Sequence, residues 1–152
     1  MSGSIPELLG RVLAARGVAL DEVPIVLDPT IKALMPDPTV LQDMDKAAAR
    51  LADAILSREP IAVFGDYDVD GAASVALLHR YLAQHDLGCR TYIPDRLFEG
   101  YGPNAAAIEC LVAEGARLIV TVDCGTSCFE PLAVARRLGA DVVVIDHHQA
   151  DE

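Results

Sequence analysis

The sequence predicts an α/β fold: an open, mainly parallel sheet with helices on both faces, preceded by an N-terminal helical segment. After Pro60, four short apolar runs alternate with three helical stretches, a pattern typical of βαβ units. Three of the runs are apolar at nearly every position, as expected for strands covered by helices on both faces. Hydrophobic residues make up 52% of the 152 residues and charged residues 23%, which fits a compact domain with a real core.

Residues 1–38 are predicted to form one helix and a wrapped connector. The helix is expected from about Ile5 to Arg16, with Ser4 and Glu7 as a capping box. Four prolines interrupt residues 18–38, so at most one short helix is expected there, around Ile31 to Leu34.

Residues 39–152 are predicted to be the main domain, beginning with a helix from about Gln42 to Ser57. The predicted strands are Ile61 to Phe64, Thr91 to Ile93, Leu118 to Val122 and Val142 to Ile145. The predicted helices between them are Ala72 to His85, Asn104 to Glu114 and Phe129 to Leu138. Strands that alternate with helices of this length indicate a parallel sheet.

The charge balance argues against strong nucleic-acid affinity of this chain. Its net charge is −11, from 12 basic and 23 acidic residues, whereas a stand-alone nucleic-acid binder usually carries a basic face. Weak or no DNA binding by the chain itself is therefore expected. The apolar runs are too short to cross a bilayer, and no secretory signal is evident at the N-terminus, so a cytoplasmic protein without a membrane partner is expected.

The four cysteines are expected to be buried, reduced thiols that pack as small apolar residues: Cys89, Cys110, Cys124 and Cys128. Cys124 and Cys128 lie four positions apart, but neither belongs to a C-x-x-C element, so a zinc pair is not favoured.

Acids and imidazoles follow three of the four predicted strands. Asp66, Asp68 and Asp70 follow the first strand, Asp123 follows the third, and Asp146, His147 and His148 follow the fourth. Because the carboxyl ends of parallel strands meet at one edge of a sheet, these side chains are expected to converge there.

Carboxylates collected in this way need neutralisation. Two charges ~4 Å apart repel by about 4 kcal/mol at an effective dielectric constant near 20. Either protons or cations must therefore bind between them. Oxygen ligands with one or two imidazoles favour Mn²⁺, with Mg²⁺ also compatible, and two ions sharing Asp123 can activate a water and hold a phosphate.

Structural roles compete with metal ligation for several of these residues. Aspartates at strand ends often cap the next helix, which is the favoured interpretation of Asp70, while capping and ligation both stay open for Asp146. His79 and His85 are interpreted as structural. The run from Asp66 also matches the start of an EF-hand loop, but Leu77 stands where that loop needs a glutamate, and a strand precedes the run.

Five segments occur in an order that carries a family resemblance. They are Leu41–Ala47 (LQDMDKA), Val63–Gly71 (VFGDYDVDG), Ile93–Gly102 (IPDRLFEGYG), Val120–Gly125 (VTVDCG) and Asp146–His148 (DHH). Together they resemble the DHH phosphoesterase superfamily and, within it, the RecJ family of single-stranded-DNA-specific exonucleases. The resemblance covers the chain from about residue 25 to its end.

The resemblance implies a two-metal nuclease site that uses Mn²⁺ or Mg²⁺. It implies metal ligation by Asp66, Asp68, Asp123 and His147, with Asp123 bridging the two ions; these four residues and His148 would form the catalytic set. His148 would face the scissile phosphate, and Arg96 is a candidate phosphate contact, with a surface salt bridge as its alternative. The implied chemistry is attack of metal-activated water on a phosphodiester, with release of nucleotides from the 5′ end of single-stranded DNA in repair and recombination.

The sequence departs from the family pattern in two places. Phe64 stands where some superfamily members have a histidine, so one ion has fewer protein ligands, and Cys124 replaces a frequent asparagine. The family supplies a further aspartate ligand and a nucleic-acid-binding domain downstream of D-H-H. The 152-residue chain is therefore expected to show little or no nuclease activity by itself.

Other protein classes share parts of this pattern. A DHH-family phosphodiesterase acting on oligonucleotides or cyclic dinucleotides, or a manganese pyrophosphatase, would share the acids, but the G-Y-G segment and the lead-in helix favour the exonuclease. A receiver-like metal-binding module needs a lysine after a later strand, and the only lysines, Lys32 and Lys46, precede the first strand. A dinucleotide-binding fold would show a glycine fingerprint after its first strand, which is lacking.

Overall fold

The computed structural model describes residues 5–149 and divides the chain into two compact units, one up to Met44 and one from Asp45. The predicted domain boundary after residue 38 stays a prediction. Within the described residues, none of the helices has the length and apolar character needed to cross a membrane.

The first unit consists of short helical elements. They are α1 (Glu7–Ala15), α2 (Val23–Leu27), α3 (Ile31–Leu34) and a 3-10 turn at Pro38–Val40. The predicted helices α1 and α3 are present; Ser4 of the predicted capping box lies outside the described residues, and α1 begins after Pro6 without a side-chain cap. Helix α2 corrects the prediction of at most one short helix in the connector. Pro24 lies in its first turn, where a missing N–H removes no intrahelical hydrogen bond.

The second unit is built on a four-stranded sheet in the order β2-β1-β3-β4, with every neighbouring pair parallel. The strands are β1 (Ile61–Gly65), β2 (Cys89–Tyr92), β3 (Leu118–Val122) and β4 (Asp141–Ile145). The predicted fold class is thus confirmed. Strand β2 begins two residues before its predicted start because, as a half-exposed edge strand, it is not marked by a run of apolar residues.

Helices pack on both faces of this sheet, as predicted. They are α4 (Met44–Leu56), α5 (Val69–Gln84), α6 (Ala105–Ala113) and α7 (Phe129–Arg137). One apolar cluster joins α4 and α5 to Ile61, Val63 and Val120, and a second joins α6 and α7 to Phe64 and Ile119. Alternate residues of each central strand face opposite clusters, which explains why β1 and β3 are buried at every position.

Strand register brings the motif loops together. Gly65 pairs with Val122, so Asp66 and Asp123 follow neighbouring positions on β1 and β3. Val122 pairs with Ile145, which places the loop after β4 beside Asp123 in the same way. The three motif segments therefore leave the sheet at the same edge, as the sequence predicted.

Candidate metal centre

The loop after β1 supplies two carboxylates with different surroundings. Asp66 is 4% exposed, and its buried Oδ1 has no hydrogen-bond partner among the described residues. Asp68 is exposed and caps α5: its Oδ1 accepts the backbone N–H groups of Asp70 and Gly71, both at 3.0 Å. The hydrogen bond from Gly71 is the main reason that the pKa of Asp68 is lowered. Asp68, and not Asp70 as predicted, is therefore the cap of α5.

Close packing of Gly71 against β1 sets the position of this loop. A Cβ atom at residue 71 would collide with the backbone of Asp66, including its carbonyl oxygen. Only glycine lets the first turn of α5 approach the end of β1 so closely. Gly71 thus keeps the Asp68 cap close to the buried Asp66 carboxylate.

Asp123, after β3, lies at the centre of the site. It is 6% exposed, and its backbone adopts a left-handed conformation with φ of 62°. Its N–H donates to the carbonyl of Ile145 at 2.9 Å, and its Oδ1 lies 3.1 Å from Nε2 of His147. Burial raises the pKa of Asp123, and the contact with the Asp68 carboxylate and its negative charge raise it further.

Two sets of potential ligand atoms share Asp123. In the first, atoms of Asp66, Asp68 and Asp123 all lie within 4.8 Å of one another; in the second, atoms of Asp123, His147 and His148 do so. Every residue that the sequence nominated for catalysis belongs to one of these sets. The unpartnered Asp66 oxygen fits a cation-binding role, because a buried carboxylate oxygen without a donor needs some other positive partner.

Asp146 and His148 form a hydrogen-bonded pair beside the second set. Asp146 Oδ2 accepts from the N–H and the hydroxyl of Thr126, at 3.0 and 2.7 Å, while Oδ1 lies 2.7 Å from Nδ1 of His148. Burial alone would raise the pKa of Asp146, but the hydrogen bonds from Thr126 and His148 outweigh it and lower the pKa. The same bond to Asp146 raises the pKa of His148. Asp146 therefore connects the loop after β3 to the loop after β4 through hydrogen bonds and belongs to neither ligand set.

Arg96 lies outside both sets. Its guanidinium carbon is 5.2 Å from the centroid of the Tyr67 ring, a cation–π geometry, and Tyr67 stands between the two aspartates of the first loop. Within residues 5–149 Arg96 makes no salt bridge, so the alternative interpretation of this residue finds no support. Its predicted contact with a phosphate stays a prediction.

The remaining histidines and cysteines are separate from the site's ligand sets. His79 contacts the sulfur of Cys89 at 3.4 Å, and His85 packs edge-on against Tyr81, in agreement with structural roles. All four cysteines are free thiols. Cys124 is fully buried, and burial is the first cause that raises its pKa to about 12. The prediction of burial is confirmed for Cys124 and wrong for Cys110, which is exposed, while Cys89 and Cys128 are only half-buried.

Sequence reasoning missed two residues that contact the site. Thr126 holds Asp146, and the hydroxyl of Tyr101 lies 3.1 Å from both the Asp123 carbonyl oxygen and His148 Nδ1. Tyr101 belongs to the G-Y-G segment that carried part of the family resemblance, so a signal was present. That signal did not indicate which atoms the phenol would contact.

Comparison with known proteins identifies the family. The sequence model described as DHH family, N-terminal domain, matches residues 60–152, which include all three motif loops. The chain belongs to the DHH family. It is also 37% identical over 145 residues to the single-stranded-DNA-specific exonuclease RecJ of Bacillus subtilis (strain 168), covering 95% of this chain and 18% of that protein.

Solved structures agree with this membership. A crystal structure of exonuclease RecJ bound to manganese matches with a TM-score of 0.65 and 37% identity, over 70% of this chain and 28% of that one. RecJ from Thermus thermophilus in complex with Mn²⁺ matches with a TM-score of 0.68 and 29% identity, over 92% of this chain and 19% of that one. The DHH-family chain thus spans less than a third of the length of each of these proteins.

Proposed function

We propose that this chain is the metal-binding part of a RecJ-like exonuclease that hydrolyses phosphodiester bonds of single-stranded DNA from the 5′ end. The observation that carries the proposal is the pair of ligand sets that share the buried Asp123. Support comes from the named relatives, which are single-strand-specific exonucleases of the same family. These relatives do not favour the oligonucleotide, cyclic-dinucleotide, pyrophosphatase or receiver-like alternatives.

Two divalent cations fit the residues present, with Mn²⁺ preferred and Mg²⁺ as the second choice. Asp66, Asp68, Asp123 and His147 would hold them, with Asp123 contributing to both. Carboxylate oxygens with an imidazole suit these ions, and solved structures of RecJ contain Mn²⁺ or Mg²⁺. The buried Asp66 oxygen lacks a donor, and burial together with the neighbouring Asp68 carboxylate raises the pKa of Asp123, so a cation would stabilise both ionised groups.

When bound, such ions supply an activated water and positive charge next to a phosphodiester. The chain's own residues position the reacting groups. Asp146 and Tyr101 occupy Nδ1 of His148, so Nε2 is the ring nitrogen left to contact substrate. The raised pKa of His148 favours the imidazolium, which suits an anionic phosphate.

Arg96 is proposed as a further phosphate contact, because its guanidinium is held against Tyr67 at the rim of the first loop. Single-stranded DNA is the proposed substrate of the whole protein, while this acidic chain alone is expected to bind it weakly or not at all. We propose the cytoplasm as the site of action, since the relatives act on DNA.

A calorimetric titration with Mn²⁺ tests the metal centre in the 152-residue chain. We expect saturable binding by the wild type and loss of binding by Asp123→Ala, because both ligand sets lose their common member. Asp53→Ala is the matched control, since it removes an exposed aspartate from α4, away from the three motif loops. Equal affinity and stoichiometry in the wild type and Asp123→Ala would refute the site assignment.

A chimera tests the nuclease activity. The host of the chimera is RecJ of Bacillus subtilis. Its 145-residue matching segment is replaced by the segment of this chain that aligns with it. We expect Mn²⁺-dependent release of nucleotides from 5′-phosphorylated single strands and a fall of about 10³-fold or more in kcat on Asp123→Ala. A folded chimera that binds Mn²⁺ but leaves single strands intact would contradict the proposed substrate.

A further inference from the structure

The G-Y-G segment between β2 and α6 contacts two of the three motif loops. The hydroxyl oxygen of Tyr101 lies 3.1 Å from the carbonyl oxygen of Asp123 and 3.1 Å from Nδ1 of His148. The Tyr101 ring also packs edge-on against the imidazole of His148, with ring centroids 5.6 Å apart. One side chain thus joins the loop after β3 to the loop after β4.

The chemistry of the partners fixes the direction of these hydrogen bonds. A phenol has one hydrogen and a backbone carbonyl only accepts, so Tyr101 donates to Asp123. The Tyr101 oxygen must then accept from His148, whose Nδ1 carries a hydrogen shared with Oδ1 of Asp146 at 2.7 Å. This arrangement leaves Nε2 as the free nitrogen of a neutral His148 ring.

The bond to Asp123 meets a strained point of the backbone. A φ of 62° is uncommon for a residue other than glycine and persists where surrounding contacts hold it. The Asp123 N–H is held by the carbonyl of Ile145, and the Asp123 carbonyl is held by Tyr101. Both backbone polar groups of the residue shared by the two ligand sets are therefore fixed from outside its own loop.

The segment that carries Tyr101 is itself well held. Glu99 accepts hydrogen bonds from the Tyr92 hydroxyl at 2.6 Å and from the backbone N–H of Asp95 at 2.7 Å. Gly102 has a φ of 77°, and a Cβ there would lie 3.2 Å from the sulfur of Cys128. These contacts stabilise the segment that carries Tyr101. Its hydroxyl is therefore well placed to hold the Asp123 carbonyl and the His148 ring.

We propose that Tyr101 is a positioning residue of the metal centre. It sets the direction of the Asp123 carboxylate through the Asp123 backbone, and it holds the orientation of the His148 ring, whose Nδ1 hydrogen is already fixed by Asp146. This inference rests on the proposed function, because it assigns Tyr101 a task only where Asp123 and His148 serve the hydrolysis.

Tyr101→Phe in the 152-residue chain removes the hydroxyl and keeps the ring. We expect Mn²⁺ affinity to fall about five-fold, the effect of one lost hydrogen bond. Nitrogen NMR of the metal-free chain at a pH where His148 is neutral should show its proton on Nδ1 in wild type and variant alike, because Asp146 accepts it in both. Tyr92→Phe is the matched control: its hydroxyl also bonds within this segment, to Glu99, and its loss should leave affinity and tautomer unchanged.

The outcomes separate this inference from the proposed function. If the wild type binds Mn²⁺ and Tyr101→Phe binds it equally well, the role of Tyr101 is disproved and the metal centre stands. A wild-type His148 protonated on Nε2 also overturns the inference, whatever the variant does. If the wild type binds no Mn²⁺, both proposals fail. In the chimera, Tyr101→Phe should lower kcat per folded enzyme, with the folded fraction measured by circular dichroism, and should leave KM nearly unchanged.

Discussion

The buried carboxylate of Asp123 destabilises the native state of the metal-free chain. Its carboxylate is buried against Asp68, and both burial and that contact raise its pKa. A cation between the acids removes this cost. Without one, the ionised carboxylate destabilises the native state, since the unfolded chain places the same charge in water.

Asp123→Asn should therefore stabilise the metal-free chain at neutral pH, by about 1 kcal/mol in the free energy of unfolding. A carboxyl group with a raised native pKa is destabilising above that pKa, and the effect disappears as the pH falls and both states become protonated. The gain should thus vanish near pH ~3. Urea unfolding in the presence of a chelator measures it. Asp53→Asn, on the exposed face of α4, should change stability by less than about 0.5 kcal/mol, and an Asp123→Asn that is less stable than wild type would contradict the argument.

At the residue scale, the sequence was sufficient to predict site residues whose positions are set by the end of a strand. Asp66, Asp123 and His147 directly follow parallel strands or lie one residue beyond, so the common sheet edge brings them together. The sequence was insufficient where local hydrogen bonds determine which of two similar residues caps a helix. Asp68 and Asp70 both fit an N-cap, and only the close approach of Gly71 to β1 determines that Asp68 is the cap.

The segment between β2 and α6 depends on one glutamate for its internal hydrogen bonds. Glu99 accepts from the backbone of Asp95, from the hydroxyl of Tyr92 and from the amide of Asn104, at 2.7, 2.6 and 3.3 Å. The first of these bonds is the main cause that lowers the pKa of Glu99. The ionised form therefore stabilises the native segment.

Glu99→Gln should lower the urea midpoint of unfolding at neutral pH. A carboxyl group with a lowered native pKa contributes stability above its unfolded pKa, about 4.3, and this contribution is lost as the pH falls through the native value. The difference between wild type and variant should accordingly shrink in acid. Glu109→Gln is the control, because the Glu109 side chain on α6 makes no hydrogen bond within residues 5–149 and should give the same midpoint as wild type at each pH. A constant difference at all pH values for Glu99→Gln would contradict this account.

At the scale of elements, prediction succeeded for buried strands and long helices. Strand β3 has the predicted bounds because every residue from Leu118 to Val122 is buried and apolar or β-branched. The short helix α2 was missed since Pro24 was interpreted as a helix breaker, although proline is tolerated in a first turn. Tyr101 could not be placed for a related reason, because the path of the connection between β2 and α6 depends on tertiary contacts that periodicity does not encode.

The whole molecule combines a strongly negative net charge with a site that is proposed to act on a polyanion. The net charge of −11 repels phosphates at long range, whereas the two ligand sets would attract a phosphate only through bound cations. The chain spans less than a third of the length of the RecJ proteins it resembles, and we expect that residues outside the matched segment supply most of the DNA contacts. Substrate affinity and metal chemistry are thus expected to be separable in this chain.

This separation predicts weak DNA binding by a chain that binds Mn²⁺ well. Fluorescence anisotropy with a 5′-phosphorylated single strand at ~0.15 M salt should give a Kd no tighter than about 10⁻⁴ M, the weak end of non-specific association. Mn²⁺ should strengthen binding in the wild type more than in Asp123→Ala, because only the wild type keeps the shared ligand of both sets. A Kd near 10⁻⁶ M or below without metal, steeply dependent on salt, would show a basic surface that the charge distribution does not predict. The acidic chain would then be a DNA-binding module in its own right, and the division between metal binding and substrate affinity would be wrong.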